Sequence, residues 1–191
     1  MARRIRESGN IAPYQGFGPV TEIRIREILQ FSEATQRTLP GLESHYAELK
    51  EDVPKTKESK AKIIKAMASF SNNSGGYLFF GIQNDGTIIG VDSSCDFDKM
   101  WDDISELATS VFSPFFSWDR NVIDVIGCTV PAIYVHPSPR PPIVSVRDYT
   151  REIDEGQIYF RYERATRLIR AGDLFQMLSA RDRACVSGDA C

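Results

Sequence analysis

At 191 residues, with 42% hydrophobic and 26% charged residues, the chain is long enough to bury an ordinary globular core. No run of about 18 apolar residues exists, which excludes a membrane-spanning helix, and the basic opening Met1-Ala2-Arg3-Arg4-Ile5-Arg6 has no apolar segment behind it, so a cytoplasmic location is expected. The net charge of −3 excludes a uniformly basic coat for nucleic acid, and the scattered Cys95, Cys128, Cys185 and Cys191, with no Cys-x-x-Cys spacing, oppose a zinc site or a disulfide scaffold.

Residues 1–17 carry Gly, Pro and Asn without a period and read as an irregular arm. A first helix is expected over 20–37, with Ile23, Ile25, Ile28, Leu29 and Phe31 as its apolar stripe before Leu39-Pro40-Gly41. Tyr46 to Lys50 fits a short strand. After the polar loop 51–55, Thr56 or Ser59 caps a second helix, with Glu58 in its first turn. Ile63, Ile64, Met67 and Phe70 form the buried face of that helix, and Asn72-Asn73-Ser74-Gly75-Gly76 ends it through the left-handed conformation open to Gly and Asn. Tyr77–Ile82 and Thr87–Val91 are expected to form a hairpin around Asn84-Asp85-Gly86.

Phe97, Met100, Trp101, Ile104, Leu107, Ala108 and Phe112 mark a third helix, bounded by Pro114. Strands are expected at 122–126, 129–136, 143–146 and 158–162, and a short helix at 173–181. Strands and helices interleave without regular alternation, so the fold class is α+β with a mixed sheet and packed helices. The expected organisation is an N-terminal arm and helix over 1–40, one domain over 41–182, and a flexible tail over 183–191.

Candidate chemistry centres on carboxylates. In a strand, Glu48 and Lys50 share a face about 7 Å apart. An acid beside a lysine recurs where phosphodiesters are hydrolysed, the acid holding a divalent ion and the cation stabilising charge on the phosphate. Glu43 would lie about 17 Å away on a straight strand, so joining Glu48 requires a bend near Ser44 or His45. Asp85 either serves the turn alone or completes a three-carboxylate cluster, since hard divalent ions take oxygen ligands. An ordinary solvated face is the competing reading of both glutamates.

His45 could act as an auxiliary ligand or proton carrier, and His136 reads as structural. No Gly-x-Ser-x-Gly elbow and no Walker-type phosphate cradle is present. Arg161, Arg164, Arg167 and Arg170 recur every third residue. They either grip phosphates, with Tyr159, Phe160 and Tyr162 available for stacking, or form a solvated edge interspersed with Glu163.

Three segments in order carry a family resemblance: Glu43-Ser44 to Glu48-Leu49-Lys50; Ala68-Ser69-Phe70-Ser71-Asn72 with Gly75-Gly76; and Gly81-Ile82 to Asp85-Gly86 with Gly90-Val91. With Ile158-Tyr159-Phe160-Arg161 and Thr166 as the closing strand, residues 42–181 resemble the Schlafen-type, Alba-like nucleic-acid-binding domain. The resemblance implies a nucleic-acid partner, RNA ahead of DNA; the lack of a long apolar run argues for no membrane partner. The resemblance also implies metal-dependent endoribonuclease activity on structured RNA such as tRNA. By motif position, Glu43, Glu48 and Asp85 would hold Mg²⁺ or Mn²⁺, with Lys50 steadying the scissile phosphate. Gln83 stands where the family enzymes carry an aspartate soon after the strand, so Asp85 is its nearest substitute. The vertebrate enzymes pair two such lobes; one copy here implies a homodimer to rebuild the groove. The alternatives are a non-catalytic DNA- or RNA-binding regulatory module, and a small-ligand or protein-interaction domain, which the acidic pI favours.

Overall fold

A helical pattern that runs straight into a strand, and strands apolar on both faces, set this architecture. The computed structural model describes residues 19–38, 42 and 46–187, the last six of these by their backbone. In chain order the elements are α1 (Glu22–Leu29), β1 (Ala47–Lys50), α2 (Lys57–Ser71), β2 (Gly76–Phe80), α3 (Phe97–Val111), β3 (Phe112–Ser113), β4 (Trp118–Val125), β5 (Cys128–Val135), β6 (Val144–Ser145), β7 (Tyr159–Tyr162), β8 (Ala165–Leu168) and α4 (Ala171–Ser187).

The main sheet has the order β1-β2-β5-β4. Its first pair is parallel, with Ala47 opposite Tyr77 and Lys50 opposite Phe80. Parallel neighbours need a crossover, which α2 supplies. The other pairs are antiparallel, and β4 and β5 join through the tight turn Ile126-Gly127, both with positive φ. The sheet is therefore mixed, and the fold is α+β as the sequence pattern implies.

Alternation along the strands sorts side chains into two cores. Leu78, Phe80, Ile133 and Val135 pack with Ile64, Met67 and Phe70 of α2 and with Trp101 and Ile104 of α3. Tyr77, Phe79, Val130 and Ala132 form the opposite layer with Ala47 and Leu49, under Ile25 and Leu29 of α1. Each fully buried side chain of this kind stabilises by about 1.5–3 kcal/mol relative to exposure. Since Ala47 and Leu49 face the α1 layer, Glu48 between them faces the α2 layer.

Helix α2 begins as expected. The Thr56 hydroxyl accepts from the Ser59 N–H at 3.1 Å, and the Ser59 hydroxyl accepts from the Thr56 N–H at 2.9 Å. Its exit differs from expectation. Asn72 stays right-handed (φ −75°), and the left-handed residue is Gly75 (φ +76°). At Gly76, a Cβ would meet Phe70 Cδ1 at 2.3 Å, so this position needs the missing side chain for packing rather than for φ.

Three further expectations change. The first helix stops at Leu29 rather than running to 37, because Gln30 turns left-handed (φ 39°); residues 31–38 then double back through a Ser32–Arg37 bridge. The turn at 84–86 forms, but Thr87–Val91 is not a full strand: a single Ile82–Ile88 bridge remains, and the chain bends away at Gly90 (φ 70°). The C-terminal helix is longer than 173–181, running from Ala171 to Ser187.

Candidate functional site

Glu48 lies on the edge strand of the main sheet and is 8% exposed. Its Oε1 is 2.5 Å from Lys50 Nζ, so the two do share a face, and its Oε2 accepts from Arg161 Nη1 at 2.5 Å. Arg161 is 2% exposed. Its Nη2 donates to the Ala47 carbonyl oxygen at 3.1 Å, and its guanidinium carbon sits 4.9 Å from the centre of the Phe70 ring. Among the described residues, this one carboxylate thus faces two cations.

Asp85 serves the turn. Its Oδ1 accepts from the Thr87 N–H at 2.9 Å, and its Oδ2 lies 3.0 Å from Arg37 Nη2. The Thr87 hydrogen bonds, with Arg37 adding charge, hold its carboxyl below the usual range. Glu43, together with His45, lies outside the described residues. Among the described residues, no three His, Cys, Asp or Glu side chains gather in a group that could hold a metal ion. Glu48 has both oxygens engaged by cations and Asp85 is bound to the turn and to Arg37, so the described donors do not fit a divalent ion in this arrangement.

The arginine row divides. Strands β7 and β8 form their own two-stranded sheet, with Tyr159 opposite Leu168, Phe160 opposite Arg167, Arg161 opposite Thr166 and Tyr162 opposite Ala165. Tyr159 and Arg161 point inward, away from the phosphate-gripping face that one reading of the row expects: Tyr159 is 6% exposed in the core and Arg161 is engaged by Glu48. Alternation then turns Phe160, Tyr162 and Arg167 outward. Arg164, Arg167 and Arg170 are exposed. The Phe160 and Tyr162 rings lie 5.1 Å apart, and the Arg170 guanidinium carbon is 4.7 Å from the centre of the Tyr162 ring. The Tyr162 hydroxyl donates to Asp173 Oδ2 at 2.5 Å and accepts from the Arg170 N–H at 2.9 Å. Burial, with Asp173 beside it, pushes that hydroxyl up from its usual range.

The sequence reading takes 72–76 only as a helix stop, and misses a clamp there. Asn72 Nδ2 donates to the carbonyl oxygens of Ile143 and Tyr159, both at 2.9 Å, while its Oδ1 accepts from the Ile143 N–H at 2.6 Å. Asn73 Nδ2 donates to the Arg161 carbonyl oxygen at 2.9 Å, and the Ser69 and Thr166 hydroxyls are 2.9 Å apart. The Ser-Phe-Ser-Asn segment is therefore the fastening of the β7–β8 hairpin. Two adjacent amides at a helix exit that needs glycine for its turn were the available signal. His136 Nε2 lies 2.7 Å from Asp119 Oδ2, joining β4 to the residue just past β5.

The same motifs span the region matched by a family model, Schlafen, AlbA_2, over residues 43–170. The chain belongs to this Schlafen AlbA_2 family. It is 27% identical over 175 residues to the uncharacterized ATP-binding protein UU034 of Ureaplasma parvum serovar 3, covering 84% of this chain and 48% of that protein. The chain thus spans about half the length of that curated relative. Among solved structures, the DIP2311 protein from Corynebacterium diphtheriae aligns with a TM-score of 0.57 at 22% identity, covering 82% of this chain and 31% of that one. That likeness supports the α+β fold of the AlbA_2 domain described above. No helix among the described residues is long and apolar enough to cross a membrane.

Proposed function

We propose that this Schlafen AlbA_2 domain binds nucleic acid, RNA ahead of DNA, through the outward face of the β7–β8 hairpin. The observation that carries the reading is the hairpin register: Phe160, Tyr162 and Arg167 share the outer face, with Arg170 against the Tyr162 ring. Half-buried aromatic rings on an outer face beside exposed arginines suit an unpaired strand, the rings stacking bases and the guanidinium groups meeting phosphates. Glu163 and Asp173 lie among them and temper the positive charge, which favours modest, salt-sensitive affinity. A second copy of the chain would extend the surface into a groove, and sedimentation of the protein with and without RNA tests that arrangement.

The test is anisotropy of labelled single-stranded RNA, tRNA and matched DNA, in chelator, between about 50 and 200 mM salt. Wild type is expected to bind RNA more weakly as salt rises. The Arg164→Ala, Arg167→Ala, Arg170→Ala triple variant should lower the logarithmic salt slope by about 2, from about 0.7 per phosphate contact on a single strand. No retention of any nucleic acid at about 50 mM salt would overturn the reading and leave a protein- or small-ligand-binding domain.

A second reading, metal-dependent RNA cleavage, is favoured by the motif order at 43–50 and by the Glu48–Lys50 contact of 2.5 Å. Against it stands the engagement of both Glu48 oxygens by cations. Incubating tRNA with Mn²⁺ separates the two readings: cleavage by wild type that is lost in Glu43→Ala plus Glu48→Ala supports catalysis, and equal behaviour of both proteins removes this site. The relative's description as ATP-binding belongs to a protein about twice as long, and this chain's glycine pairs lack the Lys-Ser or Lys-Thr of a Walker loop.

A further inference from the structure

The β7–β8 hairpin shares no strand pairing with the main sheet among the described residues; beyond the backbone bonds of Gly156 and Gln157 to Ser145 at its entry, side chains hold its orientation. Asn72, Asn73 and Ser69 reach it from α2 and its exit. From β1 the contact is Glu48 with Arg161, reinforced by the Arg161 bond to the Ala47 carbonyl oxygen. Arg161 stands between Phe160 and Tyr162 in the strand, so drawing its side chain inward is what turns both rings outward. Among the described residues, Glu48 is the carboxylate in this set of contacts. A guanidinium buried against Phe70 requires such a partner, since a lone buried charge is strongly destabilising.

We infer that Glu48 is a positioning residue for the nucleic-acid-contacting hairpin: its charge holds Arg161 rather than a divalent ion. The functional half of this inference rests on the reading proposed above; the latch itself does not. Lys50, 33% exposed in its side chain, is tied to the same carboxylate on β1.

The experiment is hydrogen exchange of amides 159–168 in wild type, Glu48→Ala and Glu48→Gln, with β2 and β5 amides as the control for an intact sheet. Exchange in the hairpin is expected to quicken about 100-fold in the variants, while the β2 and β5 amides, which open only with the whole fold, remain the slowest. If Glu48→Ala fails to fold, Glu48→Gln, which keeps the side-chain length, gives the reading. The Glu48→Gln, Arg161→Gln pair, whose amides can still bond each other, should recover hairpin protection and most of the RNA affinity lost in Glu48→Ala. Mn²⁺ titration followed by electron paramagnetic resonance should give the same occupancy in wild type and Glu48→Gln. Wild-type exchange in both single variants, or a stoichiometric Mn²⁺ site lost in Glu48→Gln, overturns the inference. Should wild type bind no nucleic acid while the hairpin still loosens, the latch stands and the binding reading falls.

Discussion

Arg161 Nη1 and Glu48 Oε2 meet at 2.5 Å across 113 residues of chain, with both residues withdrawn from solvent. Removing the carboxylate takes from buried Arg161 the counter-charge that Glu48 supplies, at a cost of about 3–5 kcal/mol, whereas removing Arg161 leaves Glu48 paired with Lys50. Glu48→Ala is expected to lose stability in that range by urea denaturation, and Arg161→Ala to lose less, since Lys50 still faces the carboxylate. Replacing both with apolar residues of similar volume should cost much less than the sum. Additive losses would mean that the two side chains act independently.

Asn72 satisfies three backbone groups at once. Asn72→Ala would orphan the Ile143 N–H and carbonyl and the Tyr159 carbonyl, at about 1–3 kcal/mol for each group left buried. Asn72→Asp should be nearly as damaging, because a carboxylate cannot donate to the two carbonyls. Equilibrium unfolding of both variants checks this, and a small loss for Asn72→Asp would contradict the assigned bonds.

Tyr159 and Phe160 are neighbours in sequence and opposite in orientation. Tyr159→Ala empties a core position and should cost about 3–5 kcal/mol of stability. Phe160→Ala should leave the melting temperature nearly unchanged and weaken RNA binding by about 1–3 kcal/mol if a base stacks there. Thermal melts beside anisotropy titrations separate the two effects.

Gly76→Ala and Gly81→Ala should both destabilise, for different reasons. At Gly76 the new methyl collides with the Phe70 ring at 2.3 Å; at Gly81 it meets the Gly90 backbone at 2.6 Å and must also adopt φ +82°. Overpacking of this kind costs about 1–3 kcal/mol. Adding Phe70→Leu should recover part of the Gly76→Ala loss and none of the Gly81→Ala loss, as read from denaturation midpoints.

Acid should weaken the fold through its paired carboxylates. Asp85, Asp103 and Glu152 are held below their usual range, Asp85 chiefly by the Thr87 hydrogen bonds, Asp103 by Lys60 and Glu152 by Lys65. A depressed folded-state value gives stabilisation that is complete above the unfolded value, about 4, and lost as pH falls through the folded one. Asp85→Asn can keep the turn, since an amide oxygen also accepts from Thr87. Its melting temperature should therefore fall less steeply than that of wild type below about pH 4, and parallel slopes would show that Asp85 contributes nothing there.

Local chemistry was legible in the sequence where a residue answers to near neighbours. A cap at Thr56, one of the two residues offered for it, the apolar face of α2 and the Asn84-Asp85-Gly86 turn follow from spacing alone. Strand β8 was not legible, because Ala165-Thr166-Arg167-Leu168 has no apolar alternation and owes its pairing to β7. The left-handed Gln30 carries no local signal either. For the candidate site, the Glu48–Lys50 contact followed from strand alternation, whereas the Glu48–Arg161 pair did not. A row of arginines at equal spacing looks uniform until register decides which one is inside.

The order of synthesis adds a consequence of the parallel β1–β2 pair at the sheet boundary. The side chain that seals β1 emerges from the ribosome 113 residues after the acid it meets. Until then a nascent chain carries an unsealed strand flank and a carboxylate without its cation, the kind of surface that invites chaperone capture or intermolecular pairing. Late closure also implies slow folding relative to helical proteins of equal size, since the decisive contact joins two distant stretches of chain.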